Sequence, residues 1–342
     1  MALLYDAVLI VSFGGPEGPE DVLPFLENVL RGKDVPRRRL LEVADHYRHF
    51  GGVSPLNAQN RALVAALQAE LGAHGSRLPV YWGNRNFHPL LHATLADMAH
   101  DGVRRALGFF TSAYSSYSSC RQYREDIDRA SQIVGPTAPE IDKLRAFFNH
   151  PRFIEPMIER VRTALEQIPA PRRTAAQVIY TAHSIPLAMA DGCSYVAQLA
   201  EAARLVSEGV GLGGYAIAYQ SRSGRPEQPW LEPDIGDALR RLAAAGQSRD
   251  VVIVPIGFLS DHIEILWDLD TEARQLCDQL GLNMVRAATV GSHPDFVRMI
   301  RELIEERVGG APKRWLGPLG PSPDVCPADC CLIGSRGDRM AR

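Results

Sequence analysis

Residues 177–186 read QVIYTAHSIP, and residues 7–16 read AVLIVSFGGP. Each is an unbroken apolar run that ends on a small polar turn and a proline, with a helix-like stretch beyond it. A run without alternation fits a strand covered on both faces, and strands alternating with helices imply a parallel sheet. The same signature recurs at Leu78–Gly83, Arg105–Thr111, Tyr215–Gln220, Val251–Phe258 and Met284–Val290. The pattern predicts an α/β protein of two doubly wound, Rossmann-like halves whose parallel sheets face a shared cleft, since ligands of such sheets bind beyond the carboxyl ends of the strands. Residues 1–150 form the first half, with three such strands, closing near the second of two helical stretches predicted at Glu140–Phe148 and Arg152–Gln167. Residues 151–308 form the second, with a last helix that could pack back on the first; residues 309–342 are a Pro/Gly-rich tail.

The chain has 342 residues, 46% of them hydrophobic, and a net charge of −3, which suits two domains with real cores and argues against disorder and against nucleic-acid binding. No run of 18 or more apolar residues is present, so no membrane span is expected. The apolar start lacks a basic n-region and is interrupted by Asp6. Six cysteines are too few for a disulfide scaffold of this length, so a cytoplasmic protein with reduced thiols is expected.

Three features bear on chemistry. Asp261–Glu272 reads as a helix directly after a strand, with Glu264, Asp268 and Glu272 at i, i+4 and i+8. That spacing lines three carboxylates along one face. Their repulsion, about 0.2–0.5 kcal/mol per pair, is relieved by no interleaved lysine, so a path for cations competes with a solvated acidic face. His183 stands at a strand end in the same half; with Glu264 it becomes a candidate metal ligand or general base, and otherwise a core histidine. Cys326, Cys330 and Cys331 crowd the tail and suggest a metal site. By contrast, Gly209–Gly214 follows a helix and precedes a strand, the reverse of a dinucleotide loop, and reads as a helix-ending turn. Arg336-Gly337-Asp338 reads as polar tail.

Taken together, Leu9–Pro16, Tyr47 with Gly51–Asn57, Tyr81–Asn86, Thr181–Pro186, Gln220–Gly224 with Trp230–Pro233, and Pro255–Asp270 resemble ferrochelatases, in collinear order from about residue 5 to residue 308. The likeness is greatest to actinobacterial enzymes of the coproporphyrin-dependent haem pathway. It implies insertion of Fe²⁺ into coproporphyrin III, with protoporphyrin IX as the alternative substrate and a non-catalytic metal or tetrapyrrole carrier as the alternative function. It further implies that His183 and Glu264 bind metal and accept protons, and that Asp268 and Glu272 form an outer acidic track. Ser54, Tyr123, Phe13 and Arg31 fall on porphyrin-contacting positions. Phe13 stands where some relatives have a tyrosine, and Leu30 and His46 where they have arginines, with Arg48 as a substitute for the lost charge. The resemblance also implies a [2Fe-2S] cluster on Cys120, Cys326, Cys330 and Cys331, with Cys193 as a stand-in for one of the adjacent pair. No nucleotide cofactor is expected; the partners are porphyrin, Fe²⁺ and a downstream haem-pathway enzyme that takes the product.

Overall fold

The structure, a computed structural model, describes residues 4–32, 35–223 and 227–333; the Arg336-Gly337-Asp338 tripeptide lies outside them. The chain divides into two compact units. The first comprises residues 1–111, 122–144 and 300–312, and the second residues 112–121, 145–299 and 313–342.

In the first unit the strands β1 (Ala7–Ser12), β2 (Val80–Asn84), β3 (Arg105–Phe110) and β4 (Glu140–Lys143) form one parallel sheet in the order β2-β1-β3-β4. In the second, β5 (Gln177–His183), β6 (Ala216–Gln220), β7 (Asp250–Val254) and β8 (Asn283–Arg286) repeat that plan in the order β6-β5-β7-β8. The unbroken apolar runs have the reason expected of them: every residue of β1 and of β7 is buried, because helices cover both sheet faces.

The first unit carries a fourth strand where a helix is predicted. Ile141, Leu144 and Phe147 have helical spacing, but Glu140–Lys143 extends and pairs with Arg105–Gly108. Sheet pairing overrides the local period, and Tyr5 and Arg105 hold the new edge by bonding the Asp142 carboxylate at 2.8 and 2.9 Å. The helix Pro294–Gly309 enters the first unit at Ile300, where Arg301 bonds Glu70 at 2.8 Å.

In the second unit Gly211 ends the helix Tyr195–Val210 in the left-handed conformation, φ 85°, as the reversed order of the Gly209–Gly214 segment demands. Gly209 has a packing role, since a Cβ there would sit 2.2 Å from Ile158 Cδ1.

The tail, for all its prolines and glycines, is held in the second unit by side chains that are not thiols. Arg145 donates to Arg314 O at 2.8 Å, and the buried Asn149 carboxamide donates to Leu316 O and Gly320 O at 3.0 and 2.8 Å. Arg121 reaches Ala328 O and Cys330 O at 2.5 and 3.3 Å. Asn149→Ala strands two carbonyls and is expected to cost about 1–3 kcal/mol in urea unfolding, with earlier proteolytic cleavage of the tail.

Candidate active site

β5 ends at His183, opposite Gln220 at the end of β6. Tyr195 Oη donates to His183 O at 3.0 Å and fixes the backbone. The imidazole Nδ1 is hydrogen-bonded to Ser184 O. A carbonyl can only accept, so Nδ1 carries the proton and Nε2 keeps its lone pair for a metal or a proton.

Glu264 reaches the same edge of the second unit by way of Gly257. After β7 the chain passes over β5, where Gly257 N donates to Thr181 O at 3.0 Å. A Cβ on Gly257 would lie 2.5 Å from Ala182 Cβ, so only glycine allows so close a crossing. The chain then turns at His262, whose Nδ1 accepts from Glu264 N at 3.2 Å and caps the helix Ile263–Trp267. Burial lowers the basicity of His262, and the neighbouring His183 lowers it further while Glu264 works against both. His262 is a site residue that the sequence reading passes over; its position directly before the acidic helix was the available signal.

The helix that carries the carboxylates is not α-helical throughout. It widens into a π-turn at Asp268–Ala273, and Asp268 feels the charges of both Glu264 and Glu272. Asp268 turns inward, where its Oδ2 accepts from Gln220 Nε2 at 3.3 Å and from Ser221 Oγ. Ser221 presents that hydroxyl from a left-handed backbone, φ 61°, which is costly for a residue other than glycine. Burial pushes the Asp268 carboxyl up to about 7; the Ser221 bond opposes the shift, and the charges of Glu264 and Glu272 add to it. Glu272 is exposed and accepts from Trp267 Nε1 at 2.9 Å. Gln220 was also missed: it is buried, and its Oε1 has no hydrogen-bond partner among the described residues.

In the first unit, Phe13 follows β1 and is partly exposed, edge-on to Phe25 with centroids 6.1 Å apart. Ser54 is buried against the Gly15-Pro16 turn, its N donating to Pro16 O at 2.8 Å. Tyr123 is buried too, stacked on Phe110 at 5.1 Å with the Arg85 guanidinium 4.5 Å over its ring. Arg31 lines a cavity of about 340 Å³ together with Asn28, Arg85, Asn86, His88 and His92. Among the described residues no carboxylate lines it, and Arg85 is ion-paired with Asp126. Arg48, by contrast, is paired with Asp45 at 2.7 Å on the exposed face of its helix.

None of the six cysteines is in a disulfide. Cys120, Cys330 and Cys331 all lie in the second unit, as do Cys193 and Cys326. The Sγ atoms of Cys330 and Cys331 are 3.4 Å apart. Burial raises the Cys331 thiol, and the nearby Cys330, Cys120 and Cys193 raise it further. Among the described residues, no three His, Cys, Asp or Glu side chains close on one metal position.

Two doubly wound parallel sheets with His183 and Glu264 beyond the strand ends define a protein of the chelatase architecture. The sirohydrochlorin chelatase SirB of Bacillus subtilis shares this fold: its structure with Fe³⁺ matches 90% of this chain and 98% of its own at a TM-score of 0.54 and 15% identity. The ferrochelatase family model matches residues 5–308, and the chain belongs to that family. It is 56% identical over 339 residues to a ferrochelatase of Rhodopirellula baltica, covering 98% of this chain and 96% of that one. It is 50% identical to a coproporphyrin III ferrochelatase of Nocardia farcinica, with 95% and 96% covered. A coproporphyrin III ferrochelatase of Frankia alni is 53% identical, with 96% and 86% covered.

Ser221→Ala removes the donor that holds the Asp268 carboxyl down. Its midpoint should therefore rise above about 7, measured as the pH at which the protonated carboxyl stretch disappears in infrared difference spectra.

Proposed function

We infer that this protein is a porphyrin ferrochelatase that inserts Fe²⁺ into coproporphyrin III to give iron coproporphyrin III in haem biosynthesis. The observation that carries the reading is His183, with Nδ1–H committed to Ser184 O and Nε2 left to accept. Metallation exchanges two pyrrole protons for one Fe²⁺, so the site must take up protons and tolerate a dication on the way in. His183 Nε2 accepts a pyrrole proton; Glu264 offsets the positive charge; Asp268, whose carboxyl burial pushes up to about 7, passes protons or metal toward the exposed Glu272. Coproporphyrin has twice as many propionates as protoporphyrin IX. The cavity lined by Arg31, Asn28 and Asn86 supports that choice, as do the names of the relatives from Nocardia farcinica and Frankia alni. Phe13 supplies an apolar face to the macrocycle, and Ser54 and Tyr123 supply hydroxyls to its carboxylates. The product passes to a later enzyme of haem synthesis, in the cytoplasm, where thiols are kept reduced.

Anaerobic Fe²⁺ and coproporphyrin III should give the metalloporphyrin spectrum faster than protoporphyrin IX does. No product from either substrate overturns the assignment. His183→Ala should keep porphyrin binding, read by fluorescence quenching, while the rate falls by about 10²–10⁴, the usual contribution of a general base. A carrier would show no turnover to lose.

The cysteines support a second element, a [2Fe-2S] cluster on Cys120, Cys326, Cys330 and Cys331. Such a cluster spreads four thiolates over two irons and therefore needs paired thiols, not three donors about one point. The Cys330/Cys331 pair and the Arg121 grip on the tail next to Cys120 are suited to that demand. With cluster bound, freshly purified protein should absorb in the visible and contain acid-labile sulfide, and Cys120→Ser should lose both. An unchanged spectrum removes Cys120 from the ligand set.

A further inference from the structure

Between Asp261 and Glu272 the chain carries five acids, Asp261, Glu264, Asp268, Asp270 and Glu272. They are not equivalent. Arg286, the last residue of β8 and largely buried, donates from Nε to Asp270 Oδ1 at 2.6 Å and from Nη1 to Asp261 Oδ1 at 2.7 Å. Its Nη1 also donates to Ala287 O at 3.2 Å, which ties the guanidinium to its own strand. Among the described residues, no lysine or arginine forms an ion pair with Glu264, Asp268 or Glu272.

One planar fork thus bridges two points of the acidic segment. Asp261 directly precedes the capping His262, and Asp270 lies within the π-turn. A π-turn is less favourable than the α-helical turn it replaces and persists where something holds it. Here the hold comes from a neighbouring strand, with Thr271 Oγ1 on Leu266 O at 3.0 Å as a local addition. The π-turn holds both Asp268, facing Gln220 and Ser221, and Glu272 at the surface.

We propose that Arg286 is a positioning residue for metal entry: it sets the phase of the π-turn and removes the charge of Asp261 and Asp270, leaving Glu264, Asp268 and Glu272 as the acids that handle the cation. The inference rests on the reading of those three as the metal path. The bonds of Arg286 go to Asp261, Asp270 and Ala287 O, none of them a porphyrin-contacting position, so its loss separates the two substrates. A lysine cannot replace it fully, because an ammonium lacks the fork that reaches two carboxylates in fixed geometry.

The test is steady-state kinetics of the purified enzyme under anaerobic conditions, varying Fe²⁺ at saturating coproporphyrin III and then the reverse. Arg286→Met should raise KM for Fe²⁺ about tenfold while KM for porphyrin stays within about twofold, and Arg286→Lys should fall between, at about threefold. A purely structural role would instead move both KM values together or lower kcat and melting temperature alone, and that result overturns the proposal. If Arg286→Met does not fold, Arg286→Lys decides: an unchanged KM for Fe²⁺ sinks the idea. Glu264→Gln separates the layers of the argument. If it leaves KM for Fe²⁺ unchanged, the metal path and the role of Arg286 fall together; if it raises KM while the Arg286 variants do not, only Arg286 is misassigned.

Discussion

The second unit depends on one close crossing, the backbone of Gly257 over the end of β5. The space there admits no Cβ, and the Gly257 N–H closes on Thr181 O at 3.0 Å. Because β5 ends two residues later at His183, this contact brings the segment that leads to His262 and Glu264 up to the same edge. Tyr114 Oη, on Ile256 O at 3.0 Å, holds the crossing from the other side. The chemistry is thus assembled by backbone proximity first and by side-chain bonds second.

Around that edge, charges are distributed by burial. Asp268 is taken out of water and its carboxyl rises to about 7, while Glu272, a few residues on, stays at the surface. A row of acids in one solvent would all be ionised at neutral pH. A graded row gives one group able to exchange a proton and others able to attract a cation. Ser221, held in a left-handed conformation to reach Asp268, is the kind of local strain that collects at working sites.

The tail follows a different logic. Its sequence has no regular period, and its cysteines Cys326, Cys330 and Cys331 form no disulfide. Hydrogen bonds from Asn149, Arg145 and Arg121 to its carbonyls hold it instead, so placement of the cysteine arm in the second unit does not depend on the cysteines. The fit is tight at Gly317, where a Cβ would meet Glu201 Oε1.

The sequence by itself determined the two parallel sheets, because strands buried on both faces must be apolar throughout, and that pattern survives without neighbours. It also determined the candidate residues His183 and Glu264, which stand beyond strand ends, and the helix-ending role of Gly211. Only the tertiary structure decided the rest. Glu140–Lys143 became a strand because pairing with β3 outweighed a helical period too short to stand alone. Asp261 and Asp270 are taken up by Arg286, from a strand distant in sequence, on either side of Glu264 and Asp268. Local spacing encodes what a segment prefers in isolation. Which carboxylate is buried, paired or left for a cation depends on groups that only folding brings near.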